Sequence, residues 1–231
     1  MILALLNIPI QVSCQLCDLT KCNESTSNTT TLQMSDWLCK VKTKSITTCE
    51  NLAELATEIK VQRRYPARSN PTVTLPSNLN DFEISILHLK DVVPILDDDQ
   101  VWPETLTTMI IEDDSNISHL PNIRNSSIEV LKLKRIDMEF GDLSLTNFDK
   151  LTSLQIFECD GLKNLTKLLS GLESLTELRV EDNSNLHYAG KLPPNLNKLT
   201  TIRLIGKFQL WITFWQCCTQ HIWRFKIDKN T

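Results

Sequence analysis

The stretch LTSLQIFECDGL, from Leu151 to Leu162, has a counterpart 24 residues further on in LTELRVEDNSNL, from Leu175 to Leu186. Both put apolar residues at the first, fourth, sixth and twelfth places, with Cys159 or Asn183 at the ninth. An amphipathic helix would repeat its apolar residues every three or four places, and a half-buried strand would alternate throughout, so neither element alone accounts for this frame. A longer period does. The frame also catches Ile84/Leu87/Leu89, Leu106/Met109/Ile111, Ile128/Leu131/Leu133 and Leu199/Ile202/Leu204, with successive units beginning 22, 22, 23, 24 and 24 residues apart. Each unit predicts a three-residue strand whose fourth and sixth places point inward, a turn bonded from inside by the ninth place, and a core closed by the twelfth. One unit cannot bury that face alone; six stacked units make a continuous core behind a parallel sheet.

Prolines precede several of these strands, in LPSNL (75–79), WPETL (102–106) and LPPNL (192–196). Proline lacks an N–H donor and disfavours helix in the residue before it, so the return between strands is predicted to run extended rather than as a long helix. The ninth place is held by Val92, Asp114, Ile136, Cys159, Asn183 and Lys207, so a regular asparagine ladder is not expected. Cys159 reads as a buried thiol lining its turn rather than a nucleophile. The residues that carry this period resemble the leucine-rich-repeat family. The resemblance implies an α/β fold: a curved leucine-rich-repeat solenoid with a parallel sheet on its concave face.

In that fold the third, fifth, seventh and eighth places project from the concave sheet. The fifth place stacks His88, Ile110, Lys132, Gln155, Arg179 and Arg203. The seventh stacks Lys90, Glu112, Lys134, Phe157, Glu181 and Ile205, and the eighth Asp91, Asp113, Arg135, Glu158, Asp182 and Gly206. Lys134 then stands beside Glu112, and Arg135 between Asp113 and Glu158. Such cross-strand pairs keep a solvated sheet soluble, and each contributes little to stability. An aromatic residue among arginine and lysine also matches the composition of binding hot spots. That reading singles out Lys132, Lys134, Arg135, Phe157, Arg179 and Glu181 as candidate ligand-binding residues, with Phe157 foremost.

Composition narrows the chemistry. The 231 residues, 41% hydrophobic and 23% charged, suffice for one solenoid with a substantial core. A net charge of -4 lacks the basic stripe of a nucleic-acid binder, LKLKRI (131–136) being the one local basic cluster. Only 5 glycines disfavour phosphate-cradling loops, and no H-E-x-x-H, G-x-S-x-G, phosphate loop or dinucleotide fingerprint occurs. His88, His119, His187 and His221 fall in different units, while LDDDQ (96–100) and EDD (112–114) read as solvated turns rather than calcium loops. No enzymatic activity, metal or cofactor is expected.

The N-terminal residues bear on compartment. The apolar run from Ile2 to Ile10, followed by Ser13, resembles the hydrophobic region and small-residue exit of a secretory signal, though without a positive flank. A buried opening strand is the alternative. Five of the 8 cysteines follow, at Cys14, Cys17, Cys22, Cys39 and Cys49. They resemble the disulfide-bearing cap that covers the first repeat of extracellular leucine-rich solenoids, where the last cysteine, here Cys49, ends the first strand. Their pairing is not deducible, and Cys14 and Cys17 also match a zinc-binding C-x-x-C, although no second such pair follows nearby. Asn23, Asn28, Asn116, Asn125 and Asn164 match the N-glycan acceptor pattern, which is used only in a secreted chain; about three matches are expected from composition, so the excess is small. After residue 210 the repeat is expected to stop. The segment 211–231 holds three of the 5 tryptophans and has no apolar run of the about 20 residues a membrane span needs. The organisation is therefore a signal peptide (1–13), a cysteine-rich N-terminal cap (14–50), a solenoid (51–210) and an atypical tail (211–231).

From residue 14 to 210 the chain is similar to the start of a Toll-type receptor ectodomain and to secreted leucine-rich proteins. The resemblance implies a non-catalytic extracellular module that recognises a protein ligand through its concave face, in receptor-type or innate-immune signalling. It would be secreted or the ectodomain fragment of a membrane receptor, with homodimerisation as a family habit and no membrane span in this chain. A secreted matrix-type leucine-rich protein and an intracellular leucine-rich-repeat scaffold are the alternatives. The scaffold requires reduced cysteines and unused acceptor sites.

Overall fold

The alternation that opens each unit is realised as extended backbone, and for longer than three residues. The computed structural model describes residues 29–33, 37–43, 56–63, 72–74, 79, 82–91, 93–95, 102–112, 127–136, 145–163, 165–186, 192–205 and 224–228. Its strands are β1 (Thr29–Gln33), β2 (Trp37–Thr43), β3 (Ala56–Arg63), β4 (Thr72–Thr74), β5 (Ile86–Lys90), β6 (Val93–Ile95), β7 (Thr108–Glu112), β8 (Val130–Lys134), β9 (Ser153–Phe157), β10 (Glu177–Glu181), β11 (Thr201–Ile205) and β12 (Arg224–Asp228). In the six units read from sequence the strand covers the third to seventh places. The fourth and sixth are buried, and the fifth and seventh are half-buried on the opposite face.

Ten strands form one sheet in the order β1-β2-β3-β5-β7-β8-β9-β10-β11-β12, and β4 pairs with β6 in a small parallel sheet of its own. From β3 to β12 every pairing in the large sheet is parallel and joins strands in chain order, so the chain coils as a parallel β-solenoid. Leu87, Met109, Leu131, Leu154, Leu178 and Ile202 lie in one register row. The drift of the period from 22 to 24 residues is therefore absorbed in the returns, not in the sheet. Two rungs lie beyond the sequence frame. Ile59 and Val61 pair with Leu87 and Leu89, and Phe225 and Ile227 of β12 pair with Ile202 and Leu204, which carries the ladder past residue 210, where the repeat was expected to end.

The returns explain why the helical half of the expected α/β class is missing. Among the described residues there is no α-helix. Instead, the N–H of one apolar residue donates to the carbonyl three places back: Phe148 to Leu145, Leu151 to Phe148, Leu172 to Leu169, Leu175 to Leu172, and Leu199 to Leu196. A chain that turns every three residues sends every third side chain inward, and Leu145, Phe148 and Leu151, then Leu169, Leu172 and Leu175, are all buried. Gly171 permits one of these turns. It has φ 86, and a side chain on it would meet the Thr146 methyl at 3.0 Å.

Two ladders of polar contacts run along the coil. At the second place, hydroxyls donate to the backbone carbonyl one unit back: Ser85 to Thr57 (3.1 Å), Thr107 to Ser85 (3.4 Å), Thr152 to Glu129 (3.1 Å), Thr176 to Thr152 (3.0 Å) and Thr200 to Thr176 (3.2 Å). At the ninth place, Asn183 accepts from the N–H of Cys159 (2.8 Å) and donates to the carbonyls of Ile156 (3.3 Å) and Glu181 (2.7 Å). Cys159 repeats the pattern one unit earlier. Its Sγ accepts from the Ile136 N–H (3.5 Å), and its single S–H faces the carbonyls of Phe157 (3.2 Å) and Leu133 (3.7 Å). The asparagine ladder is thus a two-rung fragment in which a thiol takes one asparagine's place.

At the N-terminal end of the coil, β2 lies antiparallel on β3, with a register shift between Lys42 and Thr43, and β1 lies antiparallel on β2. The first parallel strand has no preceding unit, and this pair occupies the backbone groups that would otherwise face water. Cys39 sits in β2 opposite Leu32 and Val61. The other cap cysteines, Cys14, Cys17, Cys22 and Cys49, lie outside the described residues, so the sheet reaches into the predicted cap without displaying its disulfides. No helix of the described residues is long and apolar enough to cross a membrane.

Candidate functional site

Parallel pairing in exact register turns sequence places into rows across the sheet. On the face opposite the core, the fifth-place row reads Lys60, His88, Ile110, Lys132, Gln155, Arg179 and Arg203. The seventh-place row reads Gln62, Lys90, Glu112, Lys134, Phe157, Glu181 and Ile205. Lys132, Lys134, Phe157, Arg179 and Glu181 are therefore gathered on three adjacent strands, β8, β9 and β10.

Arg135 belongs to a different place in the unit. The eighth place was expected to project from the sheet with the third, fifth and seventh, yet Asp91, Arg135, Glu158 and Asp182 all have φ of 52 or 53, a left-handed conformation just past the strand end. The turn keeps the ladder going for one more bond, because the N–H of Arg135 donates to the Phe157 carbonyl and that of Glu158 to the Glu181 carbonyl. From this turn the Arg135 side chain reaches back to Glu112.

Two carboxylates organise the face. Glu112, only 12% exposed, is bonded by His88 Nε2 (2.9 Å) and by Arg135 Nη2, with Lys134 Nζ at 3.5 Å and Lys90 Nζ at 3.9 Å. Arg135 Nη1 also lies 3.8 Å from Glu158. Glu181, 13% exposed, is bonded by Arg179 Nε at 2.5 Å. Arg203 Nε stands 3.4 Å from the same oxygen, near enough for an ion pair but without hydrogen-bond alignment. Phe157 lies between the two clusters, in register with Lys134 and Glu181, and the Arg179 guanidinium sits over its ring at 5.1 Å from the centroid.

Burial decides the protonation of His88. Desolvation, aided by the neighbouring Lys60 charge, holds its pKa below 6.5 and outweighs the bond to Glu112. At neutral pH a neutral imidazole therefore donates from Nε2 to the carboxylate. The bond to Glu181 raises the pKa of Arg179 still further, so that guanidinium stays charged. Behind the sheet, burial pushes the Cys159 thiol up to about 12, which keeps it protonated and unreactive at neutral pH.

The sequence picked out the aromatic and its cations but treated Glu112 as one member of a pair. Its role as a centre for three cations and a neutral imidazole comes from the register, which places residues of β5, β7 and β8 side by side, and from the left-handed turn that returns Arg135 to it. The signal was present in the alternating signs of the seventh and eighth places. The glycan candidates Asn23, Asn28, Asn116, Asn125 and Asn164 lie outside the described residues. Among the described residues no group of three or more His, Cys, Asp or Glu side chains is placed to hold a metal ion. Comparison with protein-family models, with curated proteins and with solved structures finds no match to this chain.

Proposed function

We propose that the chain is a non-catalytic protein-binding module of leucine-rich-repeat type, working outside the cell and recognising a protein ligand on the open, concave face of its sheet. The observation that carries this reading is the half-buried Phe157 ring, stacked under Arg179 and flanked in register by Lys134 and Glu181. An aromatic body ringed by groups that can bond at its edge is what a hot spot needs: apolar area to desolvate and polar contacts to orient the partner. A sheet face whose strands are fixed by a stacked core loses little conformational freedom when a partner binds.

The N-terminal signal, the cysteine-rich segment and the acceptor asparagines support the extracellular assignment, and the resemblance to Toll-type ectodomains supports a ligand-capturing role. Expression of the full chain in animal cells tests this. The protein is expected in the medium, with a mobility that shifts on N-glycan removal and again between reducing and non-reducing conditions. Unglycosylated, fully reduced protein held in the cytosol would overturn the assignment and leave the intracellular scaffold as the better account.

A further inference from the structure

Building on the open face as the binding surface, we propose that its partner presents an acidic segment of protein chain with an apolar side chain among its carboxylates. The formal charge of this face conceals how it is layered. Glu112 and Glu181 are drawn among their cations until only 12% and 13% of their side chains are exposed, whereas Lys134, Arg135, Arg179 and Arg203 keep 38%, 36%, 32% and 37%. An approaching partner therefore meets ammonium and guanidinium groups before it meets carboxylate. Lys132 adds a positive charge that joins no ion pair among the described residues, in the same register row as Gln155, Arg179 and Arg203.

Exposed negative charge bounds the patch at the turn edge, whereas Glu177 on the opposite side is half-buried and accepts from the Ser153 hydroxyl. Glu158 is 51% exposed, and Asp182 is exposed beside it, both one residue beyond their strands in the left-handed turn. An acidic segment is thus attracted over the fifth- and seventh-place rows and repelled from the turn edge, which sets where it lies. A sulfated glycan shares the anionic chemistry, but its ring C–H faces place less apolar area on Phe157 than an aliphatic or aromatic side chain does.

The test is selection of a random displayed-peptide library on the full chain, followed by titration of the enriched peptides into wild type, Lys132→Glu, Phe157→Ala and Arg179→Gln. The expected peptides carry excess Asp and Glu around an apolar residue, weaken with added salt, and lose about tenfold in affinity with Lys132→Glu. Lys132→Glu breaks no ion pair among the described residues, so an unchanged unfolding midpoint in that variant separates lost binding from lost folding. Peptides that depend on Phe157 but show no acidic excess would overturn the acidic partner while leaving the binding face. Enrichment that ignores all three substitutions, or no enrichment, would overturn both. Binding of a heparin oligosaccharide that depends on Lys132, with no acidic peptide selected, would overturn this proposal in favour of a glycan.

Discussion

Cys159 shows how far a single side chain can substitute for another when only its bonding pattern matters. It accepts from the Ile136 N–H and shares its one S–H between two carbonyls, where Asn183 one unit later has an N–H for each. Cys159→Ala leaves these buried groups unpaired and is expected to cost about 1–3 kcal/mol in denaturant unfolding. Cys159→Asn, similar in volume and able to make the same bonds, is expected to stay within about 1 kcal/mol of wild type. Equal destabilisation by the two variants would sink the ladder account. His88 carries a pH dependence of defined sign. Because its folded pKa is depressed, the unfolded chain binds more protons below pH 6.5, so stability falls as pH drops from 6.5 toward the folded value. Burial sets this depression, the Lys60 charge adds to it, and Glu112 and Glu58 oppose it; His88→Gln cannot titrate. Its urea midpoint is expected to fall less than that of wild type between about pH 7.5 and about pH 5.5. An identical fall in both would rule His88 out as the source. The ninth-place contribution of Cys159 was legible in the sequence as a buried thiol; its bonding was not, since donors and acceptors there come from units 23 and 26 residues away.

At the scale of the repeating element, the second place is as regular as the inward ones, although it attracted no notice in the hydrophobic pattern. Serine or threonine fills it at Thr57, Ser85, Thr107, Thr152, Thr176 and Thr200, and between Thr57 and Thr200 the run is interrupted at Glu129. The hydroxyls of Ser85, Thr107, Thr152, Thr176 and Thr200 each bond a carbonyl one turn back, so the ladder ties units together apart from the apolar core. Glu129→Thr supplies the missing hydroxyl opposite the Thr107 carbonyl and is expected to stabilise by about 0.5–1 kcal/mol, whereas Thr176→Val is expected to cost about 0.5–1.5 kcal/mol. Thermal or urea unfolding of the two variants reads both signs. A neutral Thr176→Val would mean that water replaces the bond without loss. The returns teach a related lesson. Prolines in WPETL and LPPNL argued against a long helix, and none occurs among the described residues, but these returns run as tight turns rather than extended, as the three-residue spacing Leu145, Phe148, Leu151 encodes; LPSNL lies mostly outside the described residues.

At the scale of the whole molecule, the solenoid has one core that runs from Ala56 to Leu204, and every interior unit is covered on both sides by its neighbours. The ends are where sequence and structure part. Ala56-Ile59-Val61 and Ile222-Phe225-Ile227 fit the first, fourth and sixth places of the frame, but the first stands 28 residues from its neighbour and the second lies in a tryptophan-rich stretch, so periodicity alone passed over both. Pairing recovers them, because a strand is admitted to a sheet by its backbone bonds and not by its distance in sequence. The sequence by itself determined the repeat, its strand positions, the inward residues and the composition of the open face, since each depends on which side chains avoid water at a fixed interval. Only the tertiary structure decided that Glu112 and Glu181 lie beneath their cations, that Arg135 turns back to Glu112 from a left-handed residue, and that Arg179 covers Phe157. Those contacts join residues in different turns of the coil, and no local periodicity encodes how charges 22 to 24 residues apart settle against one another once the register is set.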